Sequence, residues 1–419
     1  MKKYVLALFT LSLYNFSTAQ ETVIIPHQDT RVITTGVPFL LIASDARAAG
    51  MADMGVATSA DAYSQHWNQS KYAFSLAKSG IGVSYTPYLS KLVNDIFLGN
   101  ITYFNRLSDR SAFGVSFKYF SLGEIEIITE AQAQQNDFTR GLIEKPNELT
   151  IDASYSLRLA DQFSMAVGLR YLRSDLRIQA AETFSSAKAA SSIAVDISGY
   201  YQSEETAYDS FNGRTRLGFA IQNVGPTIKY DEGGRENFLP TTLRLGGGFD
   251  FIFDEYNTLA LTAEVTKLLV PTPPMTGTKI DYNESGETEG YQENEDEEIS
   301  TDNDYIISGQ SNDVSFVKGI FQSFGDAPGG FSEELKEFTW ALGAEYRYQE
   351  SFAFRAGYFN ESEDKGARKF FALGAGFKYT TINIDLSYLF SASKIQSPLE
   401  NTLRFSLTFN FGDGEYEEY

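Results

Sequence analysis

The chain has 419 residues, and its 34 basic side chains stand against 55 acidic ones, giving a formal charge of −21 at pH 7. That balance cannot neutralise a phosphate backbone, so nucleic acid is not an expected partner. The absence of Cys rules out disulfides, thiolate metal sites and a lipidated cysteine behind a leader. With 33 Phe, 25 Tyr and 34 Gly, the composition is odd for a soluble enzyme. It suits a membrane barrel, whose residues alternate between lipid and a polar lumen and whose interfaces carry aromatic girdles.

Residues 1–19 read as a cleaved secretory signal. Lys2 and Lys3 precede the apolar stretch Tyr4 to Phe16, and Ser17-Thr18-Ala19 places small residues before Gln20. This stretch is too short to span a bilayer as a helix. Residues 20–71 show no period of two and read as an N-terminal periplasmic extension and a lumen hatch. Their core, Pro38 to Thr58, is dense in Ala and Gly, which suits folding in a narrow space. Asp61 to Gln69 then leads to the wall.

From Tyr72 the pattern changes to strict alternation, the mark of a half-buried strand. Leu403, Phe405, Leu407, Phe409 and Phe411 alternate with Thr402, Arg404, Ser406, Thr408 and Asn410. Similar stretches fall near 72–86, 94–106, 111–121, 147–160, 163–178, 190–201, 214–223, 239–252, 256–267, 337–349, 352–360, 367–380, 381–391 and 401–411. Many approach the nine to eleven residues that a tilted membrane strand needs. Residues 72–411 are therefore expected to form an all-β, transmembrane antiparallel β-barrel of about fourteen strands.

Loop lengths sort by parity. Connections after even-numbered strands are mostly tight (107–110, 160–162, 253–255, 350–351, 380–381). Those after odd-numbered strands are longer, and 202–213 is the exception. Short turns belong to the periplasmic side of an outer-membrane barrel, so both termini are expected there, with the long loops outside the cell. In the eighth strand, Gly246-Gly247-Gly248 marks either a bulge or kink or a tight contact with the hatch.

The connection 268–336 is the most elaborate. Pro271-Thr272-Pro273-Pro274 enforces extended backbone, and the acidic run Glu293 to Glu298 continues to Asp302 and Asp304. The run reads as a solvated loop without fixed structure or as an oxygen-rich cation site. Its spacing does not match an EF-hand, and no metal site is assigned. Farther on, Phe316, Val317, Ile320, Phe321, Phe324 and Phe331 are partner-contact candidates, or else a short helix folded back over the barrel mouth. Residues 412–419 read as an acidic periplasmic tail.

No Gly-x-Ser-x-Gly elbow, P-loop or His-Glu-x-x-His motif occurs. The only histidines are His27 and His66, and a structural hydrogen bond is the expected role of His66. Glu124 and Glu126 share one face of a strand end, as acids in so acidic a chain often do. No catalytic residue and no cofactor is assigned, and no enzyme activity is expected.

The run Asp45-Ala46-Arg47, Gly50-Met51, Gly55-Val56-Ala57, with Asp61 and then Trp67-Asn68, resembles the N-terminal hatch of FadL-like outer-membrane proteins. Within that superfamily it is most similar to the PorV (LptO) family, the barrel component of the type IX secretion system. The resemblance extends to the strand count, the Asn223-Val224-Gly225-Pro226 turn and the long ninth-strand loop. It implies that Asp45, Arg47, Gly50, Asp53, Gly55, Trp67 and Asn68 belong to the hatch. It also implies outer-membrane lipid around the wall and a very large translocon barrel (SprA/Sov-like) beside it. Its implied task is to recognise the C-terminal signal domain of secreted cargo and carry it to a sortase-like attachment complex. The alternative is a FadL-like channel for hydrophobic small molecules. Solute-transporting relatives often carry Trp-Asn-Pro-Ala, where this chain has Trp67-Asn68-Gln69-Ser70.

Overall fold

The computed structural model describes residues 23–27, 30–90, 93, 95–128, 142–177, 188–231, 234–280, 304–393 and 402–412. The expected signal peptide, the acidic run Glu293–Glu298 with Asp302, and the tail beyond Gly412 lie outside them.

The alternation seen in the sequence becomes a wall with two faces. In the last strand Leu403 and Phe405 are exposed, whereas Arg404, Ser406 and Thr408 are buried. The apolar side chains point outward and the polar ones inward, as a strand between lipid and a lumen requires. The wall strands are β1 (Ser79–Pro87), β2 (Ile96–Arg106), β3 (Ser111–Leu122), β4 (Asn147–Ala160), β5 (Phe163–Asp175), β6 (Ala190–Gln202) and β7 (Asn212–Val224). They continue as β8 (Thr242–Ile252), β9 (Asn257–Leu268), β10 (Phe338–Tyr348), β11 (Phe352–Asn360), β12 (Lys369–Tyr379), β13 (Ile382–Ser391) and β14 (Leu403–Phe411). Each pairs antiparallel with the next, and β14 pairs with β1, closing a 14-strand barrel. Closure leaves no sheet edge in the hydrocarbon region.

Three expectations change. The first strand begins at Ser79 and not near Tyr72, because Gln69–Phe74 winds into a 3-10 helix. The exceptional connection after β6 is an extended hairpin: Thr206–Ala207 pairs with Asn212–Gly213. Beside it the rings of Tyr208, Phe211, Phe249, Phe251 and Phe253 pack together. The glycine run of β8 carries no bulge, since it pairs residue for residue with both neighbours. A register shift lies instead in β7, before Val224, where Asn223 adopts φ 61° and donates its N–H to Asp196 Oδ1 (2.8 Å).

At the long-loop rim a separate sheet forms from Val23–Pro26, Met275–Ile280 and Asp304–Ser308. The chain's N-terminal segment therefore lies with the long loops. β14 ends at the other rim, where Lys78 N–H donates to Phe411 O (3.0 Å). The described strand Val23–Pro26 and the end of β14 thus stand at opposite rims, and a four-residue strand whose partner lies far along the chain leaves no local period.

Candidate functional site

Residues 36–75 pack against inward-facing positions of the wall. They build two one-turn helices, α1 (Ala46–Ala49) and α2 (Ser64–Trp67). Turns this short are not stable by propensity, and side-chain bonds hold them. Asp45 caps α1 by accepting from Ala48 N–H (2.8 Å), and its second oxygen accepts from Trp67 Nε1 (2.7 Å).

Arg47 is the main electrostatic tie to the wall. Its fork donates to both oxygens of Glu345 on β10 (3.0 Å each), and another nitrogen reaches Asp61 (2.6 Å). Glu345 also accepts from Arg355 (2.6 Å), which continues to Asp385 (2.6 Å). Asp53 receives Arg404 (2.8 Å). Glu264 of β9 accepts the N–H groups of Gly55 (2.9 Å) and Val56 (3.0 Å). Asn68 donates to Val56 O (2.8 Å) and to the wall carbonyl of Gly199 (3.0 Å). Of the residues expected in the hatch, Asp45 and Trp67 bond each other, Arg47, Asp53, Gly55 and Asn68 each bond the wall, and Gly50 meets it by contact. A Cβ on Gly50 would fall 2.9 Å from Gly374 Cα of β12.

The sequence reading missed the wall half of this network: Glu264, Glu345, Arg355, Asp385 and Arg404. Their signal was there, as charged residues on the polar face of otherwise apolar strands. It also missed Lys71, which is fully buried and donates to Gly55 O (2.8 Å) and Thr58 Oγ1 (3.0 Å). His66 stands edge-on to Trp67 (4.6 Å) with Lys118 against its Nδ1. Glu124 is ion-paired with Lys145 (2.5 Å) at the surface.

Residues 36–75 lie between two cavities. The one on the long-loop side measures about 480 Å³ and is bordered by Ile42, Trp67, Phe359, Arg244, Glu337 and Arg368, among others. The one on the short-turn side measures about 230 Å³ and is lined by Arg47, Asp61, Glu345 and Arg355, among others. Near the long-loop rim one flank of the lumen is apolar: Leu98, Phe120 and Leu172 pack on Val37, Phe39 and Leu40.

The long loop is clamped to this rim by buried charge. Lys267 bonds Glu337 (2.5 Å) and Glu334 (3.3 Å), while Lys365 bonds Glu333 and Glu337 (2.9 Å each). The loop carries α3 (Phe316–Gln322) and α4 (Phe331–Glu334), and α4 itself supplies Glu333 and Glu334 to the clamp. A Cβ on Gly319 of α3 would fall 2.8 Å from the Phe238 ring, so this helix is seated closely. The apolar loop candidates divide. Phe316 and Ile320 are half-buried, whereas Val317, Phe321, Phe324 and Phe331 are exposed, Phe321 by 75% and Phe331 by 77%.

Residues 25–275 match the family profile described as type IX secretion system protein PorV. The chain belongs to the PorV family. It is accordingly an outer-membrane component of type IX secretion. Among solved structures it is similar to a FadL homologue of Pseudomonas aeruginosa, at 13% identity and a TM-score of 0.44, covering 91% of this chain and 100% of that one. The Ralstonia pickettii toluene transporter TbuX is similar at 12% identity and a TM-score of 0.47, over 89% and 100% of the two chains. The Pseudomonas putida toluene transporter TodX follows at 11% and 0.45, over 91% and 98%. No curated protein matches the sequence.

In this PorV family member Asp326, near the clamp, gives the loop an expected pH dependence. Burial, with Glu334 and Glu337 nearby, pushes the Asp326 carboxyl up to about 6, although it accepts from Thr272 N–H (3.1 Å). A raised carboxyl favours the folded loop while protonated. That contribution is complete below about pH 4, the ordinary carboxyl range, and is lost as pH rises through 6. Amide exchange in residues 314–337 should therefore slow between pH 7.5 and pH 5 after correction for the intrinsic rate. An Asp326→Asn variant should lose most of that difference, and an unchanged difference in the variant would assign the effect elsewhere.

Proposed function

We propose that this protein binds the C-terminal signal domain of secreted cargo at its long-loop rim and passes it from the translocon barrel to the sortase-like attachment complex. In this reading the long loops face the outside of the cell and the hatch keeps the lumen sealed. The observation that carries it is the exposed apolar set Val317, Phe321, Phe324 and Phe331, held on a loop that the buried Lys267 and Lys365 pairs clamp in place. Large apolar side chains on a fixed support are what a protein partner anchors on. An unpartnered set of this kind in water is costly.

The test is co-isolation. Full-length protein extracted from native membranes should bring down a translocon barrel and cargo carrying the signal domain. Phe321→Ser combined with Phe331→Ser should weaken cargo-domain binding at least about tenfold, with the thermal midpoint of the barrel unchanged, because both rings stand in solvent. Wild-type binding by the double variant would move the site off this loop.

The cavity of about 480 Å³ favours a second reading, a channel for hydrophobic small molecules. That reading needs the hatch to move against the ion pairs of Arg47 and Asp53. It predicts that deletion of the gene stops uptake of an apolar solute and leaves secretion intact.

A further inference from the structure

Residues 36–75 join the wall at one place on the short-turn rim. Phe74 to Ala77 border the cavity there, and Leu76 among them is 78% exposed. Lys78 follows, also exposed, with its N–H donating to Phe411 O at the end of β14. Three arginines gather around this junction. Arg106, at the end of β2, donates from Nη1 to Ser75 O (2.8 Å). Arg158, near the end of β4, stands over the Phe74 ring, 4.4 Å from its centroid. Arg110, in the turn between β2 and β3, donates to the Arg158 carbonyl oxygen from Nε (3.2 Å) and Nη2 (3.1 Å). Asp109 and Asp161 oppose this charge around Arg158. Asp109 does so from a distance, since it comes only within 3.9 Å of Arg106 and its side chain is 78% exposed. The junction is left with a surplus of positive charge beside an uncovered leucine.

We propose that this junction is the seat of the chain's own acidic end, residues 413–419, folded back over the point where residues 36–75 meet the wall. The chain arrives at the right spot. Gly412 has φ 72°, a conformation that turns the chain out of the strand, and a Cβ on it would fall 2.9 Å from the Lys78 Cβ. The sequence that follows is complementary to the junction. Asp413, Glu415, Glu417 and Glu418 answer the surplus of Lys78, Arg106, Arg110 and Arg158, and Tyr416 and Tyr419 supply rings for Leu76. The length suffices as well. Seven extended residues reach about 24 Å, whereas β4 lies four strand spacings from β14, about 19 Å. Seated there, the tail neutralises the two arginines that hold Phe74 and Ser75, and so latches the junction from the short-turn side. The latch is independent of the cargo reading.

The chain's lack of Cys gives a direct readout. Leu76→Cys supplies a single thiol at the seat, and its rate of reaction with an uncharged maleimide is measured on the folded protein in detergent. Two further chains carry the same substitution. One stops after Gly412. The other keeps its length and combines Asp413→Asn, Glu415→Gln, Glu417→Gln and Glu418→Gln, which covers the case that the shortened chain assembles poorly. Both should label at least about fivefold faster than the chain with its acidic tail, the protection expected of surface ion pairs held by a short tether. Raising salt from about 0.1 M to about 1 M should speed labelling of the acidic-tailed chain alone. Lys78→Gln with Arg110→Gln, both exposed positions, should speed it as neutralising the tail does. Equal rates with the acidic and the neutral tail would overturn the proposal. Equal rates that fall together on adding phosphatidylglycerol would also overturn it, and would assign the arginines to a lipid phosphate.

Discussion

Replacing Arg47 with Met should open the lumen while leaving the wall intact. Arg47 donates to Glu345, Asp61 and Ser59 from a buried position, and removing one partner of a buried ion pair costs roughly 3–5 kcal/mol. Arg355 still neutralises part of Glu345 (2.6 Å), which keeps the loss toward the lower end. The wall strands bond to one another and not through Arg47, so the penalty falls on the hatch. In planar bilayers the wild-type protein should show little steady conductance, and Arg47→Met should show long openings. Arg47→Lys should fall between them, since an ammonium cannot bridge both oxygens of Glu345 and reach Asp61 at once. Heat-modified mobility on gels should remain that of a folded barrel throughout. A closed Arg47→Met protein would mean that Arg47 is not what holds the hatch.

The second large effect concerns glycines that look alike in the sequence. Valine at Gly218 places a Cβ 2.1 Å from the backbone oxygen of Val56, and at Gly246 one 2.5 Å from Val56 Cγ1. At Gly247 the nearest atom is Leu217 Cδ2, at 3.4 Å on the lipid side. Overpacking at the inward sites should cost about 1–3 kcal/mol or more. The loss should be larger at Gly218, where a backbone atom must move and no rotamer can yield. Thermal midpoints should therefore fall in the order Gly218→Val, Gly246→Val, Gly247→Val, with the last near wild type. Equal losses at Gly246 and Gly247 would argue that strand flexibility, and not contact with the hatch, explains the run.

Much of the wall was readable from residues alone, because alternation is local. A strand such as Leu403–Phe411 shows both of its faces within nine residues, and loop parity then sorts the rims. Asp45, Arg47, Trp67 and Asn68 were readable as a group through the motif they share. Their roles were not. The wall partner of Arg47 is Glu345, and that of Asp53 is Arg404, both on strands far along the chain. A strand period says that Glu345 and Arg404 face inward and nothing about which hatch residue arrives there.

The same limit explains the corrections. Periodicity ran on to Tyr72, where hatch contacts such as the bond from Tyr72 to Ala62 O (2.8 Å) override it with a 3-10 turn. The strand Val23–Pro26 takes its form from a loop edge far along the chain. The loop aromatics were visible as an apolar set, but whether Ile320 or Phe321 meets solvent depends on how α3 is seated. Strand number and the two-faced wall thus follow from short-range pattern, because each strand's environment repeats every second residue. The bonds of residues 36–75 to the wall, the clamped loop and the position of the strand Val23–Pro26 follow from tertiary contact, which brings distant side chains within bonding distance and leaves no trace in local sequence.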